Sequence, residues 1–411
     1  MSQEVNQTTY SLAELDQEQA LISILETSVS LNFPIAIWRL PLTDEIKLIV
    51  DLSGRSKKVK VDFEVLPSGF TIAPFHSNKN DSADFISADL TYSSNDREIR
   101  VSPVFNDSHT TELFFQGLKF HHKKGAKANY HLDGSSPGNN QFSKESYKGL
   151  VERCVDHIKN TNLKKIVLSR VKSIDLSPKF DPIKIFLQLT KAYPGAFINL
   201  VSLPGKGTWM GATPELLVSQ DEKDIFKTVS LAGTQKAEPG SDPLEIGWTQ
   251  KEIEEQALVG RYIINCFKKI RLREFEEEGP KTVKAANLYH LKSEYLVNTR
   301  EVNFPQLATV MLDLLHPTSA VCGMPKEESM AYILENEGYH REFYAGYLGP
   351  VNINQQSHLF VNLRCMQLFE NQALLYAGGG ITEFSDSEKE WMETEMKCNT
   401  LLNIINQSIA D

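Results

Sequence analysis

The chain has 411 residues, of which 41% are hydrophobic and 23% charged, and its formal net charge is −10. This is the composition of a globular protein with a substantial core, and it excludes a disordered or fibrous chain. A diffusely acidic surface argues against binding to nucleic acid or to an anionic membrane, so any anionic substrate has to be held by local cations.

The compartment follows from what the sequence lacks. The first residues have no basic flank before an apolar run, which predicts no signal peptide. No apolar stretch approaches the roughly 18 residues that a membrane helix needs. The five cysteines are scattered, with no CxxC pair, which favours reduced thiols over a disulfide frame or a zinc site. The expected location is the cytoplasm.

The first 120 residues alternate short strand-like runs with polar turns. The pattern predicts an amphipathic helix over Leu12–Leu31. It predicts strands over residues 35–40, 46–52 and 63–70. Residues 122–145 are polar and rich in turn residues, which predicts either a linker or a long surface excursion.

From residue 146 onward the pattern becomes clearer. The predicted helices cover residues 146–160, 182–192, 243–270 and 388–409. The predicted strands cover residues 165–171, 196–203, 208–212, 357–369 and 373–377, and a tight turn joins the second and third of them as a hairpin. Strands linked by hairpins, with helices outside, favour an α+β fold with antiparallel sheets over a doubly wound parallel one.

The final helix carries ionisable residues at helical spacing. Ser385–Glu388 has the pattern of a capping box, which predicts the start of the helix. Glu390, Glu393 and Lys397 then fall on one stripe beside the apolar face. Taken alone, such a stripe is more typical of a solvated helix face than of a site.

A second acidic pair favours a functional site over a solvated helix face. Glu252 and Glu255 lie three residues apart on the helix predicted over residues 243–270. This pair and the pair Glu390 and Glu393 could meet and hold one hard cation, because their mutual repulsion is costly without it. Oxygen ligands alone suit Mg²⁺. Glutamate-rich helices are common, so the spacing by itself leaves both interpretations open.

Four further features could contribute to a site, and three of them have a second interpretation. Gly378–Gly380 could cradle an anion with backbone N–H groups or form a tight strand-to-helix connection. Arg364, in an apolar strand, needs a partner such as a carboxylate. Lys165 could be a solvated strand end or a base in a pocket, and Glu215 could be exposed in a turn or act as a desolvated acid.

In this order, the segments of the chain resemble the chorismate-utilising enzymes, the family of isochorismate, salicylate, anthranilate (component I) and aminodeoxychorismate synthases. The matching segments are Lys165–Arg170, Gly211–Glu215, Leu231–Thr234, Lys251–Glu255, His316–Gly323, Phe343–Gly346, Leu363–Arg364, Ala377–Ile381 and Glu390–Lys397. The resemblance implies a single large α+β unit of two packed antiparallel β-sheets with helices on the outside. Residues 145–405 would be the chorismate-binding core and residues 1–125 a divergent amino-terminal portion of the same fold.

The resemblance also implies a role for individual residues. Lys165 would be the base that activates water to attack C2 of chorismate, and Glu215 the acid that protonates the departing C4 hydroxyl. The implied cofactor is Mg²⁺, and its implied ligands are Glu255 and Glu393, supported by Glu252 and Glu390. The implied substrate-binding residues are Gly233, Thr234, Tyr344, Arg364, Gly378 and Lys397.

Two features favour one activity within the family. Aminodeoxychorismate synthases usually have a nucleophilic lysine at the position of Ala232, and His316–Pro325 resembles the isochorismate synthase version of that segment. The expected reaction is therefore conversion of chorismate to isochorismate. A salicylate synthase, an anthranilate-type enzyme and a non-catalytic chorismate-binding paralogue stay open as alternatives. The expected partner is chorismate alone, bound by a monomer without an amidotransferase subunit.

Overall fold

The computed structural model describes residues 8–77, 82–124, 128–134, 143–236, 242–285 and 288–410. The helices in this part of the chain are α1 (Gln17–Ser30), α2 (His109–Lys124), α3 (Lys144–Lys159), α4 (Pro182–Ala192), α5 (Gln250–Lys269), α6 (Leu307–Leu315), α7 (Lys326–Asn336) and α8 (Ser387–Ala410). The strands are β1 (Thr9–Ser11), β2 (Ile35–Arg39), β3 (Ile46–Val50), β4 (Lys57–Val59), β5 (Gly69–Ala73), β6 (Ala83–Ser87), β7 (Leu90–Ser93), β8 (Glu98–Val101), β9 (Lys165–Asp175), β10 (Phe197–Leu203), β11 (Gly207–Thr213), β12 (Leu216–Gln220), β13 (Ile225–Lys236), β14 (Glu276–Ala285), β15 (Leu288–Asn298), β16 (Gly323–Met324), β17 (Tyr347–Val351), β18 (Ser357–Val361), β19 (Cys365–Leu368) and β20 (Gln372–Ile381).

The strands form two sheets. Sheet A has the order β1-β8-β7-β3-β2-β10-β11-β19-β20-β9-β16, and sheet B has the order β14-β15-β13-β12-β18-β17-β5-β6-β4. Each pairing within the described residues is antiparallel. The predicted α+β fold with antiparallel sheets is confirmed.

The side chains of sheet A alternate between two hydrophobic cores. Phe197 of β10 faces sheet B, where its ring stacks on Phe360 at 4.2 Å between centroids. The next residue, Ile198, belongs to the core between the opposite face of sheet A and helices α1, α2, α4 and α8. Because successive strand residues point to opposite faces, a strand covered on both sides is buried throughout, as β10 is. In the described part of the chain, no helix combines the length and apolarity needed to cross a bilayer.

The segment predicted as one strand over residues 357–369 is two strands in different sheets. β18 lies in sheet B and β19 in sheet A, and the chain crosses between the sheets at residues 362–364. Arg364 lies at this crossing with φ 48°, so it does not lie inside a strand as predicted. A run of apolar residues indicates that a segment is buried, but it does not indicate where the chain passes from one sheet to the other.

The glycine triplet also differs from its prediction. Gly378, Gly379 and Gly380 belong to β20, where they pair with residues 167–169 of β9, and they are not a strand-to-helix connection. Glycine weakens an isolated strand. Here the partner strand β9 pairs with all three glycines, and their lack of side chains leaves room for the neighbouring side chains.

The amino-terminal third contains helix and buried coil that its sequence pattern did not predict. Helix α2 lies where strand-like runs were expected, and the strand predicted over residues 63–70 begins only at Gly69. Within the predicted linker, His131 is buried and its backbone N–H donates to Ser202 Oγ of β10 at 3.0 Å. The described part of that stretch, residues 128–134, therefore packs against sheet A in part.

The start of the final helix is set by a different residue from the one predicted. The Asp386 carboxylate accepts a hydrogen bond from the backbone N–H of Lys389 at 2.9 Å, as an N-cap does. Ser385 instead accepts from the backbone N–H of Thr382 in the preceding turn at 3.1 Å. The predicted capping box at Ser385 is wrong, although the helix begins within one residue of its predicted position.

Candidate functional site

One cleft lies between the two sheets and encloses, together with the solvent at its mouth, about 710 Å³. Strands β9 and β20 of sheet A and strands β13 and β15 of sheet B form its walls, and helices α5 and α8 contribute side chains from its rim. Nine of the twelve residues predicted for the site line this cleft: Glu215, Gly233, Thr234, Glu255, Tyr344, Arg364, Gly378, Glu393 and Lys397. The other three are Lys165, Glu252 and Glu390.

Lys165 lies beside the cleft, at the start of β9. Its side chain is 2% exposed, and its Nζ is 2.6 Å from Oε1 of Glu255, a residue of the cleft lining. Lys165, Glu255 and Gly380 line a second cavity, and Glu255 and Gly380 line both. The Lys165 and Glu255 side chains thus lie between the two cavities. The alternative of a solvated strand end is excluded by the burial of Lys165.

Glu215 lies in the short connection between β11 and β12. Its side chain is buried, and its backbone carbonyl accepts from the N–H of Val361 at 2.9 Å. Burial raises the pKa of Glu215 to about 7, against the opposing effects of Lys165, Lys397 and Arg364. A carboxyl group with this pKa is partly protonated at neutral pH, so it can donate a proton.

Arg364 is the cation of the cleft that needs an acceptor. It is 8% exposed, and its Nη1 has no hydrogen-bond partner among the residues described. Burial lowers the pKa of its guanidinium, and the nearby Tyr344, Glu393, Cys398 and Glu215 act in the opposite direction. Because a buried donor without a partner is costly, this nitrogen is suited to a ligand carboxylate.

Helix α8 turns its ionisable stripe toward the glycines of β20. Lys397 Nζ donates to the Gly378 carbonyl at 2.7 Å and to Glu393 Oε1 at 2.6 Å. A Cβ on Gly379 would lie 2.9 Å from Oε2 of Glu390, which is 1% exposed. The predicted stripe is therefore not a solvated face. The glycines leave the space that the side chains of α8 occupy.

Gly233 and Thr234 lie at a bulge of β13. The register with β15 shifts between Ala232 and Gln235, and Gly233 has φ 70°. A bulge changes the direction of the strand locally. It brings the Gly233 carbonyl to 2.7 Å from Nδ1 of His290, and that nitrogen must carry the proton because a carbonyl only accepts.

His290 is a cleft residue that the sequence reasoning missed. Burial lowers its pKa to about 3, and the nearby Arg364 acts in the same direction, so the imidazole stays neutral at physiological pH. Its Nε2 is buried and has no hydrogen-bond partner among the residues described. The available signal was a histidine inside the apolar run Leu288–Leu291, because such a polar group has to be satisfied in a core.

Glu252 was predicted to support the metal, but its carboxylate accepts hydrogen bonds from two residues that do not line the cleft. Its Oε2 accepts from the backbone N–H of Thr249 at 2.8 Å and from Nε2 of Gln235 at 3.0 Å. The first bond belongs to the capping box at the start of α5. Glu252 therefore stabilises the start of the helix that carries Glu255.

The donor set in the cleft fits a magnesium ion. In the described parts of the chain, no group of three or more His, Cys, Asp and Glu residues is arranged to hold a metal. Glu255 and Glu393 do line the same cleft. Mg²⁺ is commonly bound through one or two carboxylates together with water and substrate oxygens, and it does not need a closed protein cage. Two glutamates with room for a ligand match this preference.

The fold and the cleft define an α+β protein with a cleft between two antiparallel sheets that is lined by cationic and acidic side chains. Residues 68–406 match the sequence model of the chorismate binding enzyme family, and the chain belongs to this family. The predicted family resemblance is confirmed.

Two curated relatives carry the same activity in their names. Isochorismate synthase EntC of Escherichia coli K12 is 28% identical over 264 residues, which cover 63% of this chain and 66% of that protein. Isochorismate synthase DhbC of Bacillus subtilis 168 is 28% identical over 272 residues, covering 63% of this chain and 67% of that protein. The matched region thus spans about two thirds of each relative.

Solved structures share the fold over nearly the whole chain. The menaquinone-specific isochorismate synthase MenF of E. coli has a TM-score of 0.73 at 20% identity, with 97% of this chain and 94% of that chain covered. Anthranilate synthase component I of Streptococcus pneumoniae TIGR4 has a TM-score of 0.62 at 20% identity, covering 90% and 92%. At this identity, the likeness shows the fold.

Proposed function

We propose that this chain is a Mg²⁺-dependent isochorismate synthase, which converts chorismate to its isomer isochorismate. The names of the E. coli and B. subtilis relatives support the activity. The observation that carries the proposal is Glu215, a buried carboxyl group whose pKa is raised to about 7 at the edge of a cleft with cationic groups. Expulsion of a ring hydroxyl needs such an acid.

Two residues carry the proton transfers. Lys165 takes a proton from the water whose oxygen forms the new bond at C2. Glu215 gives a proton to the C4 hydroxyl, which leaves as water while the ring double bonds shift. One water enters and one leaves, so the product is an isomer of the substrate. General acid–base catalysis of this kind contributes about 10²–10⁴-fold per group.

Cations of the cleft hold the two carboxylates of the substrate. Arg364, with its unpartnered Nη1, and the Tyr344 hydroxyl are suited to the enolpyruvyl carboxylate. Glu255 and Glu393 would hold a Mg²⁺, with Glu390 and Glu252 in support, and the ion would supply positive charge for the substrate carboxylates. This local concentration of positive charge explains how an acidic chain takes up a dianion.

One competing nucleophile of the family is absent from this chain. Ala232 lines the cleft at the position where aminodeoxychorismate synthases usually have a nucleophilic lysine, which favours water as the nucleophile. The proposal includes a monomer that needs no amidotransferase subunit and acts in the cytoplasm.

Product analysis tests the proposal. Incubation of the purified chain with chorismate and Mg²⁺ is expected to yield isochorismate without added ammonia. Lys165→Ala and Glu215→Gln should lose turnover, whereas Lys164→Ala, at the exposed neighbouring position, should keep it. Release of pyruvate with salicylate, or tight binding of chorismate without turnover, would contradict the proposal in favour of a lyase or a non-catalytic paralogue.

A further inference from the structure

Tyr147 is a buried hydroxyl group beside the acidic side chains of α8. It lies in the first turn of α3, has 0% exposure, and its hydroxyl has no hydrogen-bond partner among the residues described. A buried hydroxyl in this state is unfavourable, because its bond to water is lost without replacement. Such a group calls for an acceptor in its immediate surroundings.

Two glutamates of α8 approach the same point of the structure as this hydroxyl. A Cβ on Gly379 would lie 3.9 Å from the Tyr147 hydroxyl oxygen, 2.9 Å from Oε2 of Glu390 and 4.0 Å from Oε1 of Glu393. All three oxygens therefore converge on one face of a residue that has no side chain. Burial raises the pKa of the Tyr147 hydroxyl, and Glu390 and Glu393 are the charged groups that contribute most to this rise.

Packing holds α8 in the orientation that produces this convergence. The rings of Tyr147 and Trp391 are 6.0 Å apart, and the guanidinium of Arg170 lies 3.8 Å from the centroid of the Trp391 ring. Arg170 Nε also donates to Thr394 Oγ1 at 2.7 Å. These contacts hold α8 at Trp391 and Thr394. The direction of the two carboxylates then depends on their own rotamers and on nearby donors.

We propose that, when a divalent cation is bound, the Tyr147 hydroxyl donates a hydrogen bond to Glu390 and thereby positions Glu390 and Glu393 to hold the ion. Tyr147 is a positioning residue, since it acts through the carboxylates and does not touch the substrate. The inference rests on the proposed function, because it concerns the same Mg²⁺.

General chemistry supports this role for a phenol. Burial raises the pKa of Tyr147 above the ordinary value near 10, so its hydroxyl stays protonated and is a donor at neutral pH. A donor to one of two carboxylates on the same helical turn fixes its rotamer and spreads its charge, which reduces their repulsion. Loss of such an outer partner typically weakens metal binding about 10–100-fold.

Tyr147→Phe tests the inference, because it removes the hydroxyl and keeps the ring. The readout is the shift of the thermal unfolding midpoint as the purified chain is titrated with MgCl₂ in the absence of substrate. The apparent Kd for Mg²⁺ is expected to rise about 10-fold or more. Tyr193→Phe is the matched control: its buried hydroxyl donates to the Thr400 carbonyl of the same helix at 2.9 Å, and its loss should leave the Kd unchanged.

A double variant distinguishes positioning from packing. If Tyr147 acts through Glu390, Tyr147→Phe should weaken Mg²⁺ binding no further in a Glu390→Gln background. Unaltered Mg²⁺ affinity in Tyr147→Phe, or additive losses in the double variant, would overturn the inference and leave the proposed function standing. Absence of both Mg²⁺ binding and turnover in the unaltered chain would instead overturn the proposed function and this inference with it.

Discussion

Glu215 and His290 line the same cleft, and burial shifts their pKa values in opposite directions. The pKa of Glu215 rises to about 7 and that of His290 falls to about 3. The cause is the same, since a buried environment disfavours the charged form of either group. At neutral pH the cleft therefore contains a carboxyl group able to donate a proton and an imidazole that stays neutral and orients the Gly233 carbonyl.

The pKa of Glu215 predicts a pH dependence at the scale of this residue. As pH rises through about 7, the protonated form is lost, so kcat/KM should fall on the alkaline side. The measurement is a kcat/KM profile from pH 5.5 to 9. Glu254→Gln, at an exposed position of α5, should keep the alkaline decline. Glu215→Gln should reduce kcat/KM about 10²–10⁴-fold and abolish the decline. An unchanged decline in Glu215→Gln would assign it to another group.

At the scale of the element, β20 is the strand that brings the two acidic helices together. Its glycines pair with β9 along one edge, while side chains from α5 and α8 approach where Cβ atoms would be. A Cβ on Gly380 would lie 2.5 Å from Cε of Lys165 and 2.9 Å from Oε1 of Glu255. The absence of side chains in this strand is therefore what allows the lysine and the glutamate to meet.

Gly380→Ala should impair activity more than stability. The added methyl group must displace the Lys165 and Glu255 side chains, and misplacement of catalytic groups by about 1 Å can cost about 10²-fold in rate. The backbone can stay in place, because both contacts are the ends of flexible side chains. Steady-state kinetics and thermal unfolding should show kcat reduced about 10²-fold with a near-native Tm. Gly195→Ala is the control, because among the described residues only its chain neighbours lie within 4 Å of the added group. Equal activity of the two variants would contradict this account.

At the scale of the whole molecule, the amino-terminal residues build part of both sheets. β2 pairs with β10 in sheet A, and β5 pairs with β17 in sheet B. The core between the sheets includes Trp38 and Phe70 from this region, with ring centroids 5.4 Å apart. Strands from both sides of residue 125 thus share one core.

A fragment of residues 145–411 is expected not to fold alone. Without β2 and β5, strands β10 and β17 would each lose a partner and the core would be open to water. The fragment should show no cooperative thermal transition by near-UV circular dichroism, whereas the full chain should unfold in one transition. A cooperative transition in the fragment would establish residues 145–405 as an independent domain.

Sequence by itself determined the features that local patterns encode. Helix α4 has the predicted bounds, and the hairpin of β10 and β11 lies where its turn residues placed it. Periodicity and turn chemistry act over neighbouring residues, so they are readable without tertiary structure. The ordered motifs also identified the family, and most of the predicted site residues line one cleft.

Tertiary structure alone decided what depends on distant partners. Arg364 lies in the cleft because the chain changes sheets there, and Gly378 lies in a strand because β9 pairs with it. The environment of His290 depends on the bulge of β13, which brings the Gly233 carbonyl within hydrogen-bonding distance of the imidazole. The identities of these residues were in the sequence, but their environments come from segments tens to hundreds of residues away. Burial, and with it the pKa of Glu215, is a property of the packed molecule, because it depends on which segments exclude water from the group.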